Sequence, residues 1–300
     1  MTIHHKSAYC TLDRIVQQLE LVDEAAFSTT TQANTRIDAQ STNVRNQLKD
    51  FIYEVSDDLY NLKFRDFVPR VETLTIKRQS REWAQGWCYD YGTWFFRLEH
   101  IRNMDLLEID SITLDGTAIN SSYYELDLSF GYPATAIRFD ADNITFPTTS
   151  TFSTSLEIVG TWGYHENPAA MWVDSGDTVQ NATSINATST SLSVTAGTNF
   201  ETYQYIKIED EILFIESIST NTLTVIRGVN GSTAAIHSNG TAISTYNQTP
   251  SVSKDVARMV IREFALRNGL NIVLLAETVA DVNVGQFLLK IPERWTVTSL

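Results

Sequence analysis

A hydrolytic or metal-dependent site needs carboxylates, histidines or cysteines at workable spacing, and this chain offers fragments of such patterns. Val173-Asp174-Ser175-Gly176 has the Asp-Ser-Gly order in which one of two like-charged carboxylates can hold a proton. The triplet stands in a polar stretch without apolar strand context, so an Asx-type turn joining two β units is expected there. Asp140-Ala141-Asp142-Asn143 opens like an oxygen-ligand calcium loop, but the glycine at the sixth position and the glutamate at the twelfth are missing. A solvated turn fits it better. His4, His5, His100, His165 and His237 are scattered over blocks of different texture. Cys10 and Cys88 match neither a zinc spacing nor a disulfide framework, and small half-buried residues are expected at both. No Gly-rich phosphate loop, His-Glu-x-x-His or Gly-x-Ser-x-Gly motif occurs. We therefore expect no enzyme, no metal ligand set and no cofactor.

Two other groupings suit binding rather than reaction. Trp83, Trp87, Tyr89, Tyr91, Trp94, Phe95 and Phe96 crowd one short stretch. They read either as one wall of a core or as a stacking platform for sugars or a partner's apolar anchors. Trp83, Trp87 and Trp94 are the interface candidates. Lys254, Arg258, Arg262 and Arg267 form a basic ridge at steps of four, four and five. That ridge is either a solvated face or an electrostatic dock for an acidic neighbouring subunit or ring.

The elements that must hold these residues follow from periodicity. A first helix is expected from Thr11, a good N-cap, through Leu12, Ile15, Val16, Leu19 and Leu21. After a polar break at 23–31, a longer helix carries Ile37, Val44, Leu48, Phe51, Ile52, Val55 and Leu59 on one stripe, with Arg36, Asp38, Arg45, Lys49 and Asp50 off it. Phe67-Val68-Pro69 ends the helical region. Strands are expected at 71–77, 93–98, 106–114, 123–128, 136–139 and 155–159, with a hairpin turn at Asp115-Gly116. From about Trp172 the texture changes: 24 of the 79 residues 172–250 are Ser or Thr, which marks a separate unit. Strands are expected there at 191–194, 205–208, 212–218, 222–227 and 241–245, with turns at Asn230-Gly231 and Asn239-Gly240. A last helix runs from Ser251 with Val252, Val256, Met259, Val260 and Phe264 inward, stopping at Asn268-Gly269. The tail to Leu300 has extended character.

Charge and hydropathy bound the rest. A formal net charge of −14 disfavours direct gripping of nucleic acid, which calls for a basic footprint. It suits solubility at high copy number, or a passage through which DNA slides without sticking. No window approaches the roughly 18 consecutive apolar residues of a membrane span. The first ten residues lack the apolar run of a signal peptide, so synthesis in a cytosol is expected. The Asn-x-Ser/Thr triplets at Asn143, Asn181, Asn186, Asn230 and Asn239 then read as accidental.

The order of pieces resembles the head–tail connector (adaptor) proteins of tailed bacteriophages. The matching residues are Tyr9-Cys10-Thr11-Leu12, Asp57-Asp58-Leu59-Tyr60, Arg65-Asp66-Phe67-Val68-Pro69 and Glu72-Thr73-Leu74-Thr75. Further on they are Ile109 to Thr117, Tyr123-Tyr124-Glu125-Leu126, Leu156 to Tyr164 and the helix from Val252. The run from Glu211 to Ile218, continuing from Leu223 through Arg227, Asn230 and Gly231 to His237, looks like segments of phage structural proteins. The resemblance implies an α+β fold with a helical connector core (residues 1–70 with 251–300), a β-rich region attached to it (71–171) and an inserted small β-barrel or sandwich (172–250). The insertion is large for the family.

By resemblance the protein is a virion structural protein of the neck, made in the host cytoplasm. It would form a homo-oligomeric ring of about twelve copies beneath the portal protein. Viral DNA would pass through its lumen without sequence-specific binding, and neck, stopper or tail proteins would dock on its outer end. No membrane is involved. The alternative is a carbohydrate-binding or decoration module of a phage virion built on the Trp83–Phe96 aromatics. A hydrolase assembled from distant carboxylates ranks last.

Overall fold

The computed structural model describes residues 7–26, 42–63, 65–90, 92–98, 105–129, 131–144 and 155–268. Ile37, His4, His5, His100, Tyr91 and the tail from Gly269 lie outside them. The described helices are α1 (Leu12–Ala26), α2 (Thr42–Lys63), the short α3 (Arg81–Gly86) and α4 (Pro250–Arg267). Leu48, Phe51, Ile52, Val55 and Leu59 bury one stripe of α2, as their spacing requires. At roughly 1.5–3 kcal/mol per large apolar side chain, that stripe is the main reason a helix forms here. Pro250 opens α4 at the position where a missing N–H costs nothing. Asn268 closes it, its backbone N–H and side-chain amide both donating to the Phe264 carbonyl.

Helices from the two ends of the chain meet. Phe51 of α2 packs edge-on against Phe264 of α4 at 6.4 Å. Arg14 of α1 donates to Ser253 of α4 at 3.0 Å, and Arg45 of α2 pairs with Asp13 of α1 at 3.0 Å.

The middle of the chain is antiparallel sheet. In chain order its first strands are β1 (Arg70–Lys77), β2 (Trp87–Asp90), β3 (Thr93–Arg97), β4 (Leu106–Leu114), β5 (Thr117–Ile119), β6 (Tyr124–Asp127), β7 (Ala136–Asp140) and β8 (Ser155–Trp162). They form two four-stranded sheets, β1-β8-β4-β5 and β2-β3-β7-β6, around a common core that contains Phe96, Ile112, Phe139, Ile158 and Trp162. Asp115 and Gly116, both at positive φ, make the two-residue turn from β4 to β5 that their types demand.

The later strands are β9 (Trp172–Thr178), β10 (Ser184–Ile185), β11 (Ser191–Ser193), β12 (Tyr205–Ile208), β13 (Glu211–Ser219), β14 (Thr222–Ile226), β15 (His237–Ser238) and β16 (Ala242–Tyr246). Six of them make one sheet in the order β11-β14-β13-β12-β16-β9, while β10 pairs with β15. The result is a mixed α+β fold. Of the barrel or sandwich expected for 172–250, the barrel does not form: β11 and β9 are the two ends of the six-stranded sheet and no ladder joins them.

Alternation along these strands sends side chains both ways. Ile206, Ile208, Leu213, Ile215, Val225 and Ile243 fill a core of their own. Tyr205, Phe214 and Tyr246 instead enter the core of α1, α2 and α4. One face of the 172–250 sheet is therefore continuous with the helical core.

Candidate functional site

The region expected to be a polar connector is a strand. Val173-Asp174-Ser175-Gly176 lies within β9, at the place where its register with β16 shifts between Ile243 and Ser244. The Gly176 N–H donates to Asp174 Oδ1 at 2.9 Å, so the Asx turn exists as a bulge inside the ladder. Neighbouring Asp177 accepts backbone N–H groups from Thr178, Thr195 and Ala196 at 2.7–2.9 Å. Burial pushes its carboxyl up, but those three donors outweigh it and hold the group below its ordinary range. Asp140 folds its own loop, accepting from Asp142 N–H and Asn143 Nδ2. Among the described residues no cluster of His, Cys, Asp or Glu is placed to hold a metal ion. Cys10 is buried, which drives its thiol up to about 12 and leaves it inert as a nucleophile.

Among the described residues the densest ionic cluster sits at the open end of the β13–β14 hairpin, and sequence reasoning missed it. Glu211 is fully buried. Its Oε1 accepts from Arg227 Nε at 2.7 Å and Gly228 N–H at 2.9 Å. Its Oε2 accepts from Arg227 Nη2 at 2.7 Å and Ala235 N–H at 3.0 Å, and lies 2.7 Å from His237 Nε2. Arg227 spends its remaining donors on the carbonyls of Asn186, Ser189 and Ala235. His237 Nδ1 lies 2.7 Å from Glu209. Burial raises the Glu211 carboxyl, yet the bonds from Arg227, Ala235 and His237 prevail and keep it low.

Both carboxylate oxygens of Glu211 and all three guanidinium nitrogens of Arg227 are engaged in these bonds. The cluster works as a clamp on the polar loop between β14 and β15. The sequence placed Arg227 at the end of a strand and His237 among scattered histidines. Their shared partner became visible only through the pairing of β13 with β14.

A second set of bonds stitches the 172–250 sheet to the rest of the chain. Leu12 N–H donates to the Thr202 carbonyl, and Thr11, expected as a cap, gives its hydroxyl hydrogen to Glu201 at 2.6 Å. Asn230 and Gly231, both at positive φ, form the expected tight turn. Asn230 accepts the Val71 N–H at 2.8 Å and donates to the Pro69 carbonyl at 3.0 Å. Tyr246 donates to the Phe67 carbonyl at 3.0 Å, and Tyr9 to Asp66 Oδ1 at 3.0 Å. Burial is the main reason the Asp66 carboxyl is raised, with Arg70 pulling the other way.

The three tryptophans are half-buried. Trp87 is ringed by Trp83 at 5.7 Å, Phe96 at 5.1 Å, Phe139 at 5.3 Å and Trp94 at 6.3 Å, and all three indoles pack against the core of the two four-stranded sheets. Trp87 meets Trp83 and Trp94 edge-on, at interplanar angles of 62° and 86°, so the three do not form one flat platform.

Among the four basic residues of α4, Arg267 is set apart by its partners. Arg267 turns toward α2, pairing with Glu54 at 2.6 Å and Glu263 at 2.7 Å while its guanidinium lies 4.8 Å from the Phe51 ring. Lys254 and Arg258 are exposed and Arg262 is half-buried.

Among the described residues no helix is long and apolar enough to cross a membrane. No protein-family model, curated protein or solved structure matches this chain.

Proposed function

We propose that this chain is a structural virion protein: a head–tail adaptor whose copies form a ring under the portal of a tailed phage. The ring gives DNA a passage and offers its outer end to neck, stopper or tail proteins. The observation that carries the reading is the joining of α1, α2 and α4 into one bundle, with exposed basic residues on α4 of a strongly acidic chain. Such a bundle is a rigid element on which partner surfaces can be held. The buried ionic groups add support, because the Glu211 and Asp177 carboxylates are consumed by structural bonds instead of facing a cleft.

The test is a mass measurement and negative-stain imaging of the purified full chain, with and without portal particles of the same virus. Rings of about twelve copies seated on the portal are the expected result. A monomer that ignores the portal at high concentration sinks the reading.

A further inference from the structure

Resting on that ring reading, we propose that neighbouring copies join through oppositely charged faces: α2 of one copy against α4 of the next. On α2, Asp50, Glu54 and Asp57 are exposed at steps of four and three, with Asp58 beside them. This stripe lies off the buried one; Glu54 at its centre is taken by Arg267 of its own α4, and Asp50, Asp57 and Asp58 are the carboxylates left for a neighbour. On α4, Lys254 and Arg258 are exposed one turn apart, with Arg262 half-buried a turn further on. Phe264, Arg267 and Asn268 occupy the side of α4 that meets α2. The four-residue spacing of Lys254, Arg258 and Arg262 puts them on a different side.

Within their own chain, and among the described residues, Lys254, Arg258, Asp50 and Asp58 have no ion-pair partner. Each helix also exposes a leucine, Leu62 on α2 at 42% and Leu266 on α4 at 54%.

A second copy is the occupant that fits both faces at once. A ring needs two different, mutually complementary patches on each subunit. One acidic and one basic helix face meet that need, whereas a two-fold contact of either face with itself would set like charges together. Copies carrying −14 each repel at long range, so a local basic patch aimed at the neighbour's acidic stripe supplies attraction and register. Nucleic acid would use the basic face and leave the acidic one unexplained.

Charge reversal in the full chain tests this. The measurements are native mass spectrometry and dilution-series mass photometry on wild type, K254E/R258E, D50K/D58K and an equimolar mixture of the two variants. Circular dichroism melts confirm that each is folded, which the exposure of all four positions favours. Each variant alone should associate roughly tenfold or more weakly than wild type. The mixture should recover assembly, because each variant then meets a neighbour of opposite charge.

Assembly that is unchanged in both variants, or lost in them and not recovered on mixing, overturns the face assignment while the ring reading stands. A wild-type chain that stays monomeric even on portal particles overturns both. Loss of binding to a double-stranded DNA fragment by K254E/R258E, with assembly intact, would reassign the basic face to phosphate and overturn the pairing.

Discussion

Arg227 grips Glu211 with two parallel bonds, Nε to Oε1 and Nη2 to Oε2, both 2.7 Å long and both out of reach of solvent. A guanidinium and a carboxylate match in this geometry, and the low local polarity makes the match strong. Removing one member strands the other. Arg227→Ala or Glu211→Gln should therefore cost about 3–5 kcal/mol in urea or thermal melts. Arg227→Lys, which keeps the charge and loses the fork, should fall between these variants and wild type. A loss below about 1 kcal/mol for Arg227→Ala would show that the clamp is dispensable.

Glu211 and, apart from it, Asp177 set an acid limb on stability. Glu211 and Asp177 titrate lower in the fold than their ordinary values of 4.5 and 3.8. Their contribution is thus fully present above those values and is lost as pH falls through the folded ones. Asp66 has the opposite sign: its carboxyl is raised, so the fold regains stability as that group protonates. Melts taken from pH 7 down to about 3 should fall less steeply in Asp177→Asn than in wild type, and more steeply in Asp66→Asn. Parallel curves for all three proteins would contradict this assignment.

Gly231 has a local role that no side chain can fill. A Cβ there would come within 2.0 Å of the Val71 carbonyl oxygen, and the backbone is at φ +81°. Gly231→Ala must move the turn off β1, breaking the Val71–Asn230 bond. A cost of about 2–4 kcal/mol is expected, with faster hydrogen exchange at Val71 as the local signature. Unchanged exchange at that amide would argue that the turn is not what holds the sheet to β1.

Trp87 separates the two binding readings of the aromatic stretch. With four aromatic neighbours around it, Trp87→Ala should cost about 3–5 kcal/mol and loosen the core of the first two sheets. A glycan array run on folded Trp87→Ala and on wild type checks the alternative. Sugar binding by wild type that vanishes in a variant with an unchanged melt would favour the carbohydrate reading.

Much of this was legible in the residues because the signals are local. Strands β3, β4, β12 and β16 fall within a residue of the expected spans, and the α2 stripe and three glycine turns are where periodicity and turn chemistry put them. What stayed hidden depends on pairs distant in sequence. Asp174 to Asp177 looked like a connector because a strand with a bulge and few apolar residues carries no alternation. Thr11 looked like a cap, and nothing near it reveals that Glu201 would take its hydroxyl. The acidic stripe on α2 did have a signal, steps of four and three at Asp50, Glu54 and Asp57, which apolar periodicity alone passes over.

The shared core also imposes an order in time. About 190 residues separate the end of α2 from the start of α4, yet Leu48, Ile52, Val256 and Phe264 belong to one apolar cluster. At ~5–20 residues per second, a ribosome needs roughly ten to forty seconds to span that gap. Throughout that interval the greasy stripes of the nascent N-terminal helices have no α4 to cover them. Newborn chains should accordingly lean on a holding chaperone, and truncations before residue 250 should aggregate rather than yield a smaller soluble unit.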